Sequence, residues 1–90
     1  MELRQLKYFV EVADVLNFSE AARNLFITQG TLSQQIRQLE EELGTPLFDR
    51  TSHRVILTEA GSQLLPLAKD TLRHANSCKE CMEERHGQVS

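Results

Sequence analysis

The chain has 90 residues, 40% of them hydrophobic and 26% charged, with a formal net charge of −3. That is an ordinary soluble composition for one compact domain, with a core small enough that oligomerisation would be a natural source of stability. No apolar run approaches the roughly 20 residues of a membrane span, and the start MELRQLKYF lacks the apolar centre of a signal peptide, so a cytoplasmic protein with Cys78 and Cys81 as thiols is expected.

The charge balance does not by itself point to nucleic acid, whose partners are usually basic. Residues 1–58 carry six Lys/Arg against eight Asp/Glu, and residues 59–90 carry four against five. Any DNA contact must come from local placement of a few basic side chains, with Glu40, Glu41 and Glu42 held away from phosphates.

Leu3, Leu6, Phe9, Val10, Ala13 and Leu16 recur at three- and four-residue spacing and predict a first helix over about 2–16, closed by the turn-prone Asn17. Ser19 suits the N-cap of a short second helix, with Glu20 at its positive end and Ala21, Ala22 and Leu25 as its apolar face. Thr28 caps a third helix over 28–43, with Ile27 and Leu32 placed for a hydrophobic staple. This helix buries Leu32, Ile36, Leu39 and Leu43; Gly44 ends it and Pro46 prevents its resumption. The runs 47–50 and 55–57 predict a small hairpin around Thr51, Ser52, His53 and Arg54.

Thr58 and Glu59 open a long last helix reaching roughly to residue 86. Gly61, Leu65, Ala68, Leu72, Ala75, Lys79 and Met82 form a heptad seam along it, interrupted by the charge of Lys79, while Pro66 should bend it. A seam of this length exceeds what its own domain can cover and is assigned to a second copy of the chain.

The third helix has a sharply divided surface. Opposite its apolar stripe lie Gly30, Gln34, Arg37 and Glu41, flanked by Thr31, Ser33 and Gln38. The N-terminal half of that face carries amides, hydroxyls and an arginine, the groups that pair with base edges, and no acid. A plain solvated face is the alternative. A short preceding helix and a tight connection favour a helix-turn-helix, whose second helix uses its N-terminal residues in the major groove.

The stretch from Leu3 to Leu72, with FSEAA, LSQQIRQLEEELG, PLFDR and LTEAG in order, closely resembles the N-terminal DNA-binding domain of LysR-type transcriptional regulators. The resemblance implies a mainly α winged helix-turn-helix, three helices plus a two-stranded β wing, over 1–58. A linker helix for dimerisation over 59–87 and a tail at 88–90 would follow. It further implies a dimeric bacterial regulator, or a higher assembly in a longer protein, reading a pseudo-palindromic operator in double-stranded DNA. A small-molecule effector would act only through a C-terminal domain that this chain lacks, so the chain is taken as a fragment of a larger regulator.

Two departures stand out. Members commonly carry Ser, Pro or Ala where Gly30 stands, and their wing tips are often richer in glycine and basic residues than Thr51, Ser52 and His53.

Carried over by position, Thr28, Gln29, Gly30, Thr31, Ser33, Gln34 and Arg37 resemble the family's major-groove and adjacent phosphate contacts. Thr28 both caps and contacts, Gln29 meets a phosphate or a base, Gln34 is the best base reader, and Arg37 meets guanine or phosphate. Arg50 and Arg54 would grip phosphates or enter the minor groove, and the helix beginning at Ser19 would hold a phosphate through its N–H groups. Leu65, Ala68, Leu72, Ala75 and Met82 would form the dimer interface.

Cys78 and Cys81 form a CxxC one turn after His74, but structural zinc wants four ligands and a redox CxxC usually opens a helix, so neither metal nor cofactor is expected. No nucleophile elbow, phosphate loop or paired-acid pocket accompanies Asp49, His53 and Glu59, so no enzyme is expected. The remaining rival is a coiled-coil adaptor that dimerises without binding DNA.

Overall fold

The computed structural model describes residues 1–51 and 53–89; the wing-tip Ser52 and the terminal Ser90 lie outside the described residues. The elements are α1 (Leu3–Val15), α2 (Phe18–Leu25), α3 (Gln29–Leu43), β1 (Phe48–Asp49), β2 (Ile56–Leu57) and α4 (Glu59–Val89). This is the expected winged helix-turn-helix with a long following helix.

The helix starts show which capping signals won. Glu2 opens α1, where its N–H donates to Gln5 Oε1 at 3.0 Å. The buried Gln5 in turn donates from Nε2 to Gln35 Oε1 at 3.3 Å, tying α1 to α3. α2 is capped by Asn17, not by the expected Ser19: Asn17 Oδ1 accepts the Glu20 N–H at 2.9 Å. This choice puts Phe18 inside the helix, where its ring is buried. α3 starts as expected, with Thr28 Oγ1 accepting the Thr31 N–H at 3.1 Å. Its end also follows expectation, with Gly44 in the left-handed region at φ 75°.

Two helix ends were not anticipated. Leu16 closes α1 and Phe26 closes α2, both left-handed at φ 51° and 59°. Such a φ is unusual for a bulky residue, because Cβ crowds the following carbonyl.

The core joins all three helices to the wing. Phe9, Val12, Ala21, Leu32, Ile36 and Leu39 are sealed from solvent, and Phe48 brings β1 onto them. The Phe48 ring lies 5.4 Å from Phe9 and 5.8 Å, edge-on, from Phe18. Such aromatic pairs contribute about 0.5–1.5 kcal/mol beyond area burial. Leu3, Leu16 and Leu43, expected on buried faces, are half exposed at the helix ends. β1 and β2 pair antiparallel, Phe48 with Leu57 and Asp49 with Ile56.

α4 opens at Thr58, whose Oγ1 accepts the Gly61 N–H at 3.0 Å and donates to Pro46 O at 2.7 Å. It continues through Pro66 to Val89, so no separate tail begins at residue 88. Its seam divides into two parts. Gly61 sits so close to β1 that a Cβ there would fall 2.3 Å from Leu47 O. Ala68 is only 1% exposed, and Leu65 and Leu72 pack against the domain's own core. The seam was assigned wholly to a second copy because periodicity reports an apolar face without reporting what covers it; the near half covers its own domain. Ala68 therefore has no surface left for a partner, whereas Met82 lies beyond the domain and is 52% exposed.

Phe26 is 95% exposed, so its strained backbone has no packing return. Phe26→Asn should raise the unfolding free energy by about 1 kcal/mol, because Asn tolerates the left-handed region. Urea denaturation measures this directly, and an unchanged or lowered midpoint would contradict it.

Candidate nucleic-acid interface

The N-terminal half of α3, the start of α2 and the wing enclose an open cleft of about 610 Å³. Its lining includes Ser19, Gln29, Ser33, Arg50, His53 and Arg54, and not one acid. A chain of net charge −3 thus keeps one concave surface free of carboxylates, and that surface suits an anion.

The groups around α3 differ in what they have left to offer. Thr28 Oγ1 donates to Thr31 Oγ1 at 2.9 Å while also capping, so Thr28 has spent its proton and Thr31 keeps its own. Ser19 Oγ donates to Gln29 Oε1 at 2.9 Å. That bond takes one lone pair of the amide oxygen, orients the group and leaves its NH₂ to meet a phosphate or a base acceptor. Ser19, displaced from the capping role, thereby positions Gln29. The Phe18 and Ser19 N–H groups remain as first-turn donors of α2 beside the cleft.

Gln34 and Arg37 stand exposed on the outward face, and Gln34 has no hydrogen-bond partner among the described residues. Its whole amide is available for bidentate contact. Gly30 lies in the open, with nothing within 4 Å of a Cβ built there, so no neighbour in the chain requires glycine. Gln38, expected to flank this face, instead borders a hollow beside α1 with Glu2, Arg4 and Gln5.

The two wing arginines are not ordinary surface groups. The Arg50 guanidinium lies over the Phe18 ring, 3.9 Å from its centroid. Burial pushes Arg50 below the usual arginine value; the nearby Glu40 opposes that shift and the like charge of Arg37 adds to it. Arg54 lines the same cleft. At the end of β1, the Thr51 hydroxyl and N–H donate to Asp49 Oδ1 at 2.7 and 2.9 Å. These bonds turn the chain into the loop and hold the Asp49 carboxyl below its ordinary value.

Sequence reasoning missed Glu40. The acidic run at the end of α3 was expected merely to stay clear of phosphates. Glu40 is instead turned inward, its Oε2 accepting the N–H groups of Leu47 at 2.7 Å and Phe48 at 3.3 Å. No local signal separates it from Glu41 and Glu42, since its partners lie on the next element.

The distal half of α4 holds Cys78 and Cys81 as exposed free thiols. Among the described residues no three of His, Cys, Asp or Glu are grouped to hold a metal ion.

The comparisons with known proteins give the family. The model of the bacterial regulatory helix-turn-helix proteins of the lysR family matches residues 3–62. The chain is 44% identical over 89 residues to the HTH-type transcriptional regulator ShiR of Corynebacterium glutamicum (strain R), covering 99% of this chain and 30% of that protein. Among solved structures it resembles a BenM_DBD/benA site 1 DNA complex at TM-score 0.90 and 38% identity, covering 96% of this chain and 97% of that one. It also resembles a CbnR_DBD–DNA complex at TM-score 0.89 and 35% identity, covering 96% and 99%. The chain spans about 30% of the length of curated relatives it matches.

Because a Cβ at Gly30 meets open space, Gly30→Ala should stabilise the fold by roughly 0.5–1 kcal/mol through helix propensity alone. A thermal melt that fails to rise would mean that α3 is held by something other than its backbone preference.

Proposed function

The chain belongs to the lysR family of bacterial regulatory helix-turn-helix proteins, as the DNA-binding domain of a transcriptional regulator, and we propose that it reads double-stranded DNA as a dimer. In this reading the first half of α3 enters the major groove. Gln34 and Arg37 face base edges, while Thr28, Gln29, Thr31 and Ser33 meet bases or the flanking phosphates, and Gly30 lets the backbone approach. The α2 start at Ser19 and the wing arginines Arg50 and Arg54 hold the phosphate backbone, or the minor groove where the wing reaches it.

The observation that carries this reading is the acid-free cleft, lined by Ser19, Gln29 and Ser33 and by Arg50 and Arg54 of the wing. A DNA-free coiled-coil adaptor gives no reason for an otherwise acidic chain to clear one surface of carboxylates.

Dimerisation is assigned to α4 beyond the domain, through Ala75 and Met82, with Leu65 and Leu72 contributing only the edges that their own core leaves free. A dimer presents two copies of α3 to half-sites about 34–36 Å apart, which accounts for a pseudo-palindromic operator. Since curated relatives are about three times longer, a small-molecule effector would act through the remainder of such a protein. Among the described residues no helix is long and apolar enough to cross a membrane, and we place the protein in the cytoplasm with the DNA it binds. No catalytic step is proposed.

Binding-site selection with Gln34→Ala should show one relaxed base position and a loss of about 1–3 kcal/mol on the preferred site. An unchanged preference would remove Gln34 from the base contacts. Arg54→Ala should weaken binding to all sequences alike and lower the slope of log K against log salt by about one. A slope equal to that of the unaltered chain would count against the wing as a phosphate grip.

A further inference from the structure

We propose that Glu40 is a positioning residue through which α3 sets the wing, so that the wing's grip on DNA phosphates depends on where this carboxylate holds β1. The inference rests on the proposal that α3 and the wing contact DNA together.

A carboxylate in the last turn of a helix sits at the negative end of its dipole, and beside phosphates it repels the ligand. Glu40 therefore costs stability in the free protein and affinity in the complex unless it has another task. Its geometry supplies one. A single oxygen, Oε2, takes the N–H groups of Leu47 and Phe48 at 2.7 and 3.3 Å. Bonds from amides to a charged acceptor are among the stronger hydrogen bonds available to a backbone.

The same segment is gripped from the opposite side. Leu47 O accepts the Thr58 N–H at 3.0 Å, and the absence of a side chain at Gly61 lets α4 close against it. Leu47 is thus held by its N–H to α3 and by its carbonyl to the start of α4. Strands of two residues cannot fix their own position, so the wing inherits its placement from this base. From it β1 runs through Phe48, packed on Phe9 and Phe18, to Arg50, which rests over Phe18 within the fields of Glu40 and Arg37. Moving the Leu47 peptide would carry Arg50 with it. Glu40 thereby serves binding although it has the wrong charge to touch DNA.

Two conservative variants separate position from charge. Glu40→Asp keeps the charge but falls one methylene short of the amides, and Glu40→Gln loses the charge but keeps an acceptor oxygen of the right reach. The 90-residue chain and each variant, with and without Arg50→Ala, are titrated with one duplex over a series of salt concentrations, and folding is followed by thermal melts. The proposal expects Glu40→Asp to bind all sequences roughly tenfold more weakly at moderate salt, with its salt slope lowered by about one. Arg50→Ala should add little to Glu40→Asp, as expected for residues acting through one contact. Glu40→Gln should keep the original slope.

A Glu40→Asp chain that binds like the original, or losses from Glu40→Asp and Arg50→Ala that simply add, would overturn the proposal. So would a Glu40→Asp loss confined to base preference. If the unaltered chain shows no salt-dependent binding to any duplex, the DNA-binding reading itself fails, and that result is separate from these.

Discussion

The peptide unit at Leu47 is the constraint on which the rest of the molecule depends. Its N–H is bonded to Glu40 at the end of α3, its carbonyl to Thr58 at the start of α4, and its side chain is 1% exposed. Three elements are joined there by directed hydrogen bonds, beside the bond from Thr58 Oγ1 to Pro46 O. The next residue, Phe48, then closes the aromatic cluster with Phe9 and Phe18. A small domain has little apolar area with which to fix the angle between a helix and a hairpin. Hydrogen bonds to a backbone that cannot rotate away supply the orientation that burial alone does not.

The same economy resolves the charge balance. A net charge of −3 is a poor beginning for DNA binding, yet the acids are placed away from the cleft or used internally. Glu40 anchors β1, Asp49 turns the wing loop, and Glu11 accepts from Asn24 between α1 and α2. Asp14 meets Lys69 at 3.4 Å and Glu42 meets the Met1 amino group at 2.6 Å. Exposed pairs of this kind contribute little to stability. Their effect is on the field: the cleft that Arg50 and Arg54 line has no carboxylate in its lining, which steers an anionic ligand more than the total charge suggests.

Much of this was legible in the amino-acid order. Thr28 bounds α3 because its hydroxyl caps the adjacent backbone, and Gly44 because the missing side chain admits a left-handed φ; both lie within reach of a local reading. The outward face of α3 followed from its period, and the family resemblance from motifs in order and spacing. What escaped was decided by tertiary context. Asn17 and Ser19 are both good caps two residues apart, and the burial of Phe18 selects Asn17. Leu16 and Phe26 take left-handed positions that no local preference would give them. The α4 seam has the same period whether its partner is α1 or another chain, so only the fold could assign Ala68 inward and leave Met82 outward. Glu40 looked like its acidic neighbours because its partners lie seven and eight residues away across a turn.

The central claim is that the first half of α3 and the wing form one DNA-binding surface. It is tested most directly by following backbone amide resonances of the chain during titration with a duplex from the promoter region beside its own gene. The account predicts that the largest shifts fall on Thr28 to Arg37, on Ser19 and on Arg50 to Arg54, with the distal part of α4 unmoved. Shifts concentrated on distal α4, or none at the α3 start when binding is saturated, would contradict it.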